Sequence, residues 1–126
     1  MPRPSKHTTA RGFESEARVL EACQLPTRPT WMHRSRRATH VEDHSGIDIV
    51  VESDVGRLLV QVKSSALGKE HFRPRAFLGI AVVVAARGET AEVLLAKVVR
   101  ELEPLRAERQ KVIEAVRARS GKKKRG

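Results

Sequence analysis

The chain is short of cysteine, tyrosine and long apolar runs. One cysteine in 126 residues rules out an intramolecular disulfide framework and a Cys-rich zinc finger. Tyrosine is absent, and the aromatics are Phe13, Trp31, Phe72 and Phe77. That speaks against domains that stack single-stranded bases on a row of aromatic rings. The longest apolar stretch, Leu78 to Ala86, contains Gly79 and is far too short to span a bilayer. The N-terminal residues lack the apolar segment of a signal peptide, so a soluble cytoplasmic protein without a membrane partner is expected. There is no GxxxxGK[ST] loop, which disfavours an NTPase.

Positive charge, by contrast, is abundant. Lys and Arg number 25 against 15 Asp and Glu, a formal net charge of +10. A surplus of that size points to a polyanionic partner, nucleic acid first. It is unevenly spread: residues 1–40 carry +5, residues 41–103 carry −2 and residues 104–126 carry +7. An acidic centre does nothing for gripping phosphates. An enzyme holding a divalent cation beside a phosphodiester does need one. Solvated acids on hairpin strands would give the same balance.

At 126 residues with 40% hydrophobic content, one domain is expected, over residues 10–119. Residues 1–9 and 120–126 read as a loose N-terminus and a disordered basic tail. Thr8 or Thr9 can cap a helix running to about Gln24. Helical periodicity puts Phe13, Ala17, Leu20 and Gln24 on one face and Glu16 at its edge, reaching either to solvent or into a site. Thr30 to Arg36 suits a first strand, followed by a polar loop from Ala38 to Ser45. Gly46 to Glu52 and Arg57 to Ser64 alternate as the two strands of a hairpin turning at Ser53–Gly56. The connector from Ser65 to Ala76 has room for a short helix. Phe77 to Ala86 reads as a strand buried on both faces. Thr90 can cap a helix, Pro104 breaks or restarts it, and Leu105 to Arg119 forms a second, more charged helix. The order is that of an α/β layer architecture.

Alternation places Ile47, Ile49 and Val51 on one face of the first hairpin strand and Asp48, Val50 and Glu52 on the other. On the return strand, Gln61 and Lys63 share a face with Leu59. Asp48, Gln61 and Lys63 are therefore expected together, at the end remote from the turn. An acid and an amide oxygen can ligate a hard cation such as Mg²⁺. The Lys63 ammonium can hold an attacking water and neutralise phosphate charge. Glu16 can complete the metal shell.

GIDIVVE, a short turn and LLVQVKS resemble the PD-(D/E)xK nuclease core, the restriction-endonuclease-like fold, over about residues 10–86. The resemblance implies a central mixed β-sheet flanked by helices in the order α-β-β-β-α-β-α. It also implies Mg²⁺- or Mn²⁺-dependent cleavage of DNA, with RNA as the alternative. The matching residues are Asp48 for the first acid, Gln61 and Lys63 for the (D/E)xK pair and Glu16 for the helix acid. The backbone carbonyl of Val62 would serve as a further metal ligand. The chain's size is similar to that of small Holliday junction resolvases and Mrr-like members, which are often homodimers; apolar stripes on the two C-terminal helices suit such an interface and equally suit packing within the monomer. Gln61 stands where the family has an acid, which should weaken metal binding, and Ile47 stands where it often has proline.

Arg34, Arg36 and Arg37 before the acidic loop, and Ser64, Lys69, Arg73 and Arg75 after the QxK strand, are candidates for holding the DNA backbone. Each is equally readable as an ordinary surface residue. His40 and His44 have a spacing that suits zinc on a helix, but their segment reads as non-helical. Asp43 or His44 can approach the metal site from outside the ligand set. Cys23 reads as a buried thiol rather than a nucleophile. Two further classes compete with the enzyme: a nuclease fold that has lost its metal and only binds DNA, and a basic structural or RNA-associated protein.

Overall fold

The computed structural model describes residues 10–64 and 79–125. Within them lie α1 (Ala10–Cys23), β1 (Met32–Arg37), α2 (His40–His44), β2 (Ile49–Ser53), β3 (Gly56–Lys63), β4 (Ile80–Val84) and α3 (Ala91–Arg125). The connector from Ser65 to Ala76, with its expected helix and Lys69, Arg73 and Arg75, lies outside the described residues, as do Thr8 and Thr9.

The four strands form one mixed sheet in the order β1-β2-β3-β4. β1 pairs with β2 and β2 with β3 antiparallel; β3 pairs with β4 in parallel. The α/β class and the mixed sheet flanked by helices agree with the sequence reading. Val, Ile and Leu on β2, β3 and β4 explain why these segments are strands: branched side chains pack well on a pleated, covered surface. Ile49, Val51, Leu58, Val60, Val62, Ala81 and Val83 point to one side, where Val19, Cys23, Leu94, Val98 and Leu102 from α1 and α3 close the core. Burying each such Val or Leu stabilises the fold by about 1.5–3 kcal/mol. A smaller cluster, Ile47, Val50 and Ile80 with Ala38 and Leu59, lies on the other side.

Four features depart from the sequence reading. First, α1 buries Ser15, Val19, Ala22 and Cys23, the face opposite Phe13, Ala17, Leu20 and Gln24. Small side chains let the helix sit close to the sheet, and Phe13 is left 52% exposed. Second, His40–His44 is helical. Thr39 and Glu42 form a capping box, and the Arg36 guanidinium grips the Glu42 carboxylate at 2.8 and 3.1 Å. Gly46, at φ 85°, ends the helix in the left-handed conformation that glycine adopts without strain, its N–H donating to Asp43 O. Third, Pro104 lies inside α3, and the helix runs on to Arg125 through the segment expected to be a disordered tail. The lost hydrogen bond is tolerated because Leu102 is fully buried before Pro104 and Leu105 packs on the core after it. Lys and Arg are good helix formers, which suits the continuation. Fourth, Ile47 packs with Val50 and not with Ile49 and Val51. The strict alternation is broken just before β2. Among the described residues, no helix is long and apolar enough to cross a membrane.

Candidate metal centre

The break in alternation sits at Asp48. Ile49 is the registered partner of Val60, yet the Asp48 N–H also donates to Val60 O at 2.8 Å. Two consecutive residues thus face one, and an irregularity of this kind re-aims the side chain. The Asp48 carboxylate accepts the Val62 N–H at 2.7 Å, taking the place of a ladder carbonyl. With this bond in place the side chain has little freedom.

Three acids meet at this end of the sheet. One oxygen from each of Glu16, Asp43 and Asp48 lies within 4.8 Å of the others. α1 delivers Glu16 from a position one turn before Val19 and two before Cys23, the edge of its buried face. α2 delivers Asp43, which the sequence had placed outside the ligand set. The T-x-x-E box at Thr39–Glu42 was the signal for that helix, and hence for Asp43's approach.

Gathering these acids is costly. Burial pushes the Glu16 carboxyl up to about 8, with the hydrogen bond to Asp48 and the charges of Asp48 and Asp43 acting in the same direction. Burial also raises Asp48, against the opposing hydrogen bonds from Glu16 and Val62 and the Lys63 charge. The consistent picture is a protonated Glu16 donating to an ionised Asp48. Arg37 approaches Glu16 at 3.6 Å and lays its guanidinium 4.2 Å from the centre of the Phe13 ring.

Of the residues expected at the site, Asp48 and Glu16 are joined. Lys63 is close enough for its charge to act on Asp48. Gln61 is buried, and its Oε1 has no hydrogen-bond partner. At Val62 it is the N–H that engages the site, through Asp48. Of the phosphate-binding candidates, Arg36 is held by Glu42 and Arg37 by Glu16, while Arg34 and Ser64 are exposed. His40 and His44 lie 6.0 Å apart between ring centres, and neither belongs to a metal-ligand cluster among the described residues. Cys23 is buried and its thiol is pushed up to about 12 by burial, as an inert core thiol should be.

The donor set is all oxygen, which suits a hard divalent cation such as Mg²⁺ or Mn²⁺ and not a thiol-seeking one. The buried Gln61 Oε1, near the end of β3, is a further oxygen acceptor without a partner. Comparison of the chain with protein-family models, with curated proteins and with solved structures gives no match.

Proposed function

We propose that this protein is a metal-dependent nuclease with a restriction-endonuclease-like core that hydrolyses phosphodiester bonds in DNA. The observation that carries this reading is the Glu16–Asp43–Asp48 cluster, three carboxylates within 4.8 Å at the mouth of a bulged hairpin with Lys63 beside it. Glu16 and Asp48 are raised chiefly by burial and further by each other's company, and buried acids with raised pKa values are candidates for functional sites. The antiparallel β1-β2-β3 meander followed by the parallel β4 is compatible with the proposed core.

Asp48, Asp43 and Glu16 would hold Mg²⁺ or Mn²⁺, with Gln61 Oε1 as a neutral neighbour. The cation would supply Lewis acidity towards a phosphoryl oxygen and a more acidic water. The protein's own parts are distinct. Val62 N–H fixes the Asp48 carboxylate. Glu16 gives up its proton before it can ligate. The Lys63 ammonium orients the attacking water and offsets charge on the phosphorane. Arg34 and Ser64 offer exposed phosphate contacts.

The test is a panel of duplex, single-stranded, flapped and four-way DNA incubated with Mg²⁺ or Mn²⁺. Cutting by the wild type that is lost in Asp48→Ala and Lys63→Ala supports the reading. No cutting, or equal cutting by the variants, sinks it. A second reading, a DNA-binding module without metal, draws on one observation: Arg37 already supplies Glu16 with a cation. It predicts DNA binding indifferent to EDTA and no heat of Mg²⁺ binding by calorimetry.

A further inference from the structure

α3 is two helices in one. Its first half packs on the sheet, with Leu94, Leu95, Val98 and Leu102 buried. It starts at the carboxylate end of the sheet, where Lys97 Nζ bonds Val84 O, next to Lys63 in the parallel ladder. It ends that packing at the opposite edge, the β2–β3 turn. There Arg106 pairs with Asp54 at 2.6 Å and Arg109 donates to Arg57 O. Beyond Arg109 the helix has 16 more residues, about 24 Å of length. Val112 and Val116 are 61% and 56% exposed, and Arg117 and Arg119 are exposed with no ion pair to a described residue.

Periodicity orders these residues. Val112, Ile113 and Val116 form an apolar stripe, with Arg117 on one flank and Arg119 on the other. Residues 105–125 carry nine Lys/Arg against two Glu, a net +7. A lone helix of this charge is repelled by its own kind and attracted by a polyanion. Its diameter of about 10–12 Å matches the roughly 12 Å major groove of B-form DNA. In that groove a narrow apolar stripe can touch thymine methyls while flanking arginines reach the phosphates of both walls. The deep, narrow major groove of A-form RNA would not admit it. The stripe is also too short, and free of aromatic residues and leucine, for stable residence on a membrane surface.

We propose that the distal half of α3 is a DNA-binding arm that enters the major groove well away from the carboxylate cluster. The identity of the ligand rests on the nuclease reading; the arm's position does not. The β2 strand spans about 16 Å and the helix beyond Arg109 about 24 Å, so cluster and helix tip stand up to about 40 Å apart. A substrate reaching from one to the other spans at most about 12 base pairs, at about 3.4 Å of axis for each phosphate along a strand. The arm therefore makes affinity depend on substrate length.

The experiment measures fluorescence anisotropy of labelled 8- and 24-base-pair DNA duplexes and a 24-base-pair RNA duplex, in EDTA, across a salt series. Wild type is compared with the Arg117→Gln/Arg119→Gln double variant, and circular dichroism confirms that both are equally helical. For the long DNA the variant should lower the slope of log affinity against log salt by about two, with about tenfold weaker binding at moderate salt. The 8-base-pair duplex should gain little from the arm, and RNA should bind more weakly than DNA. Equal binding of long DNA by both proteins overturns the proposal, as does equal binding of RNA and DNA. A dimer broken by Val112→Glu and Val116→Glu with unchanged DNA affinity assigns the stripe to a second copy and also overturns it. Calorimetry with Mg²⁺ keeps the two ideas separate: a protein that binds no metal but loses DNA with its arginines retains the arm and loses the nuclease.

Discussion

The two ends of strand β2 carry the same residue type in opposite circumstances. Asp54, at the turn, meets the Arg106 guanidinium at 2.6 Å, and that bond holds its carboxyl below the usual range. Arg106 also lies 5.1 Å from the centre of the Trp31 ring, so the turn is tied to both β1 and α3. Asp48, at the other end, has acids for neighbours and a raised pKa. One aspartate is compensated and contributes to folding. The other is held in a place that folding alone would avoid, and the bulge and the Val62 N–H serve to hold it. A group maintained against its own electrostatics is a candidate for chemistry.

The largest contrast between the two ends should appear in activity. Asp48→Ala is expected to reduce DNA cleavage by about a hundredfold or more, whereas Asp54→Asn leaves the rate unchanged. Cleavage assays on matched protein stocks break the comparison if both variants behave alike. Next comes Glu16→Gln, which should weaken Mg²⁺ binding about tenfold in a calorimetric titration while leaving the apo fold intact.

The third effect is on pH. Unfolded, Glu16 titrates near 4.5; folded, near 8. Between those values the folded protein keeps a proton that the unfolded chain has released. This contribution to stability is complete below pH 4.5 and is lost as pH rises through about 8. Glu42, lowered to about 2 by Arg36, acts in the opposite sense and only on the acid side. The melting temperature of the metal-free protein should therefore fall from pH 5 to 8.5, and less steeply in Glu16→Gln. Parallel profiles for the two proteins would remove Glu16 from the account.

Thr39→Ala deletes the α2 cap and should cost about 1 kcal/mol by chemical denaturation, with a modest loss of Mg²⁺ affinity as Asp43 loosens. Smallest of all, Asp54→Asn should lower the melting temperature by at most about 4 °C, an effect that salt screens.

Much of this architecture was readable from residue order. The β2–β3 hairpin, the apolar β4 and the Thr90 start of α3 follow from alternation, turn residues and capping, and the Val93 N–H does donate to the Thr90 hydroxyl. What escaped were effects of packing. The buried face of α1 is set by small residues against the sheet, which hydrophobicity ranks below Phe13 and Leu20. Pro104 is tolerated because tertiary contacts on both sides outweigh one missing bond. The bulge at Asp48 leaves no mark in composition, yet it decides which side chains Asp48 meets. Helical position alone was enough to expect Glu16 near Asp48, whereas the approach of Asp43 on α2 was not, and the structure gathers all three.

The solitary thiol in the core has a practical consequence. Cys23 is 1% exposed and its thiol ionises only near 12, so an alkylating reagent at neutral pH can reach and react with it only in molecules that have opened. The chain has no other thiol to compete for such a reagent. The rate of labelling therefore counts openings of the α1–sheet layer one molecule at a time. A cation that binds the folded form alone must slow that count by the factor its affinity dictates, so occupancy of the carboxylate cluster can be weighed without any substrate.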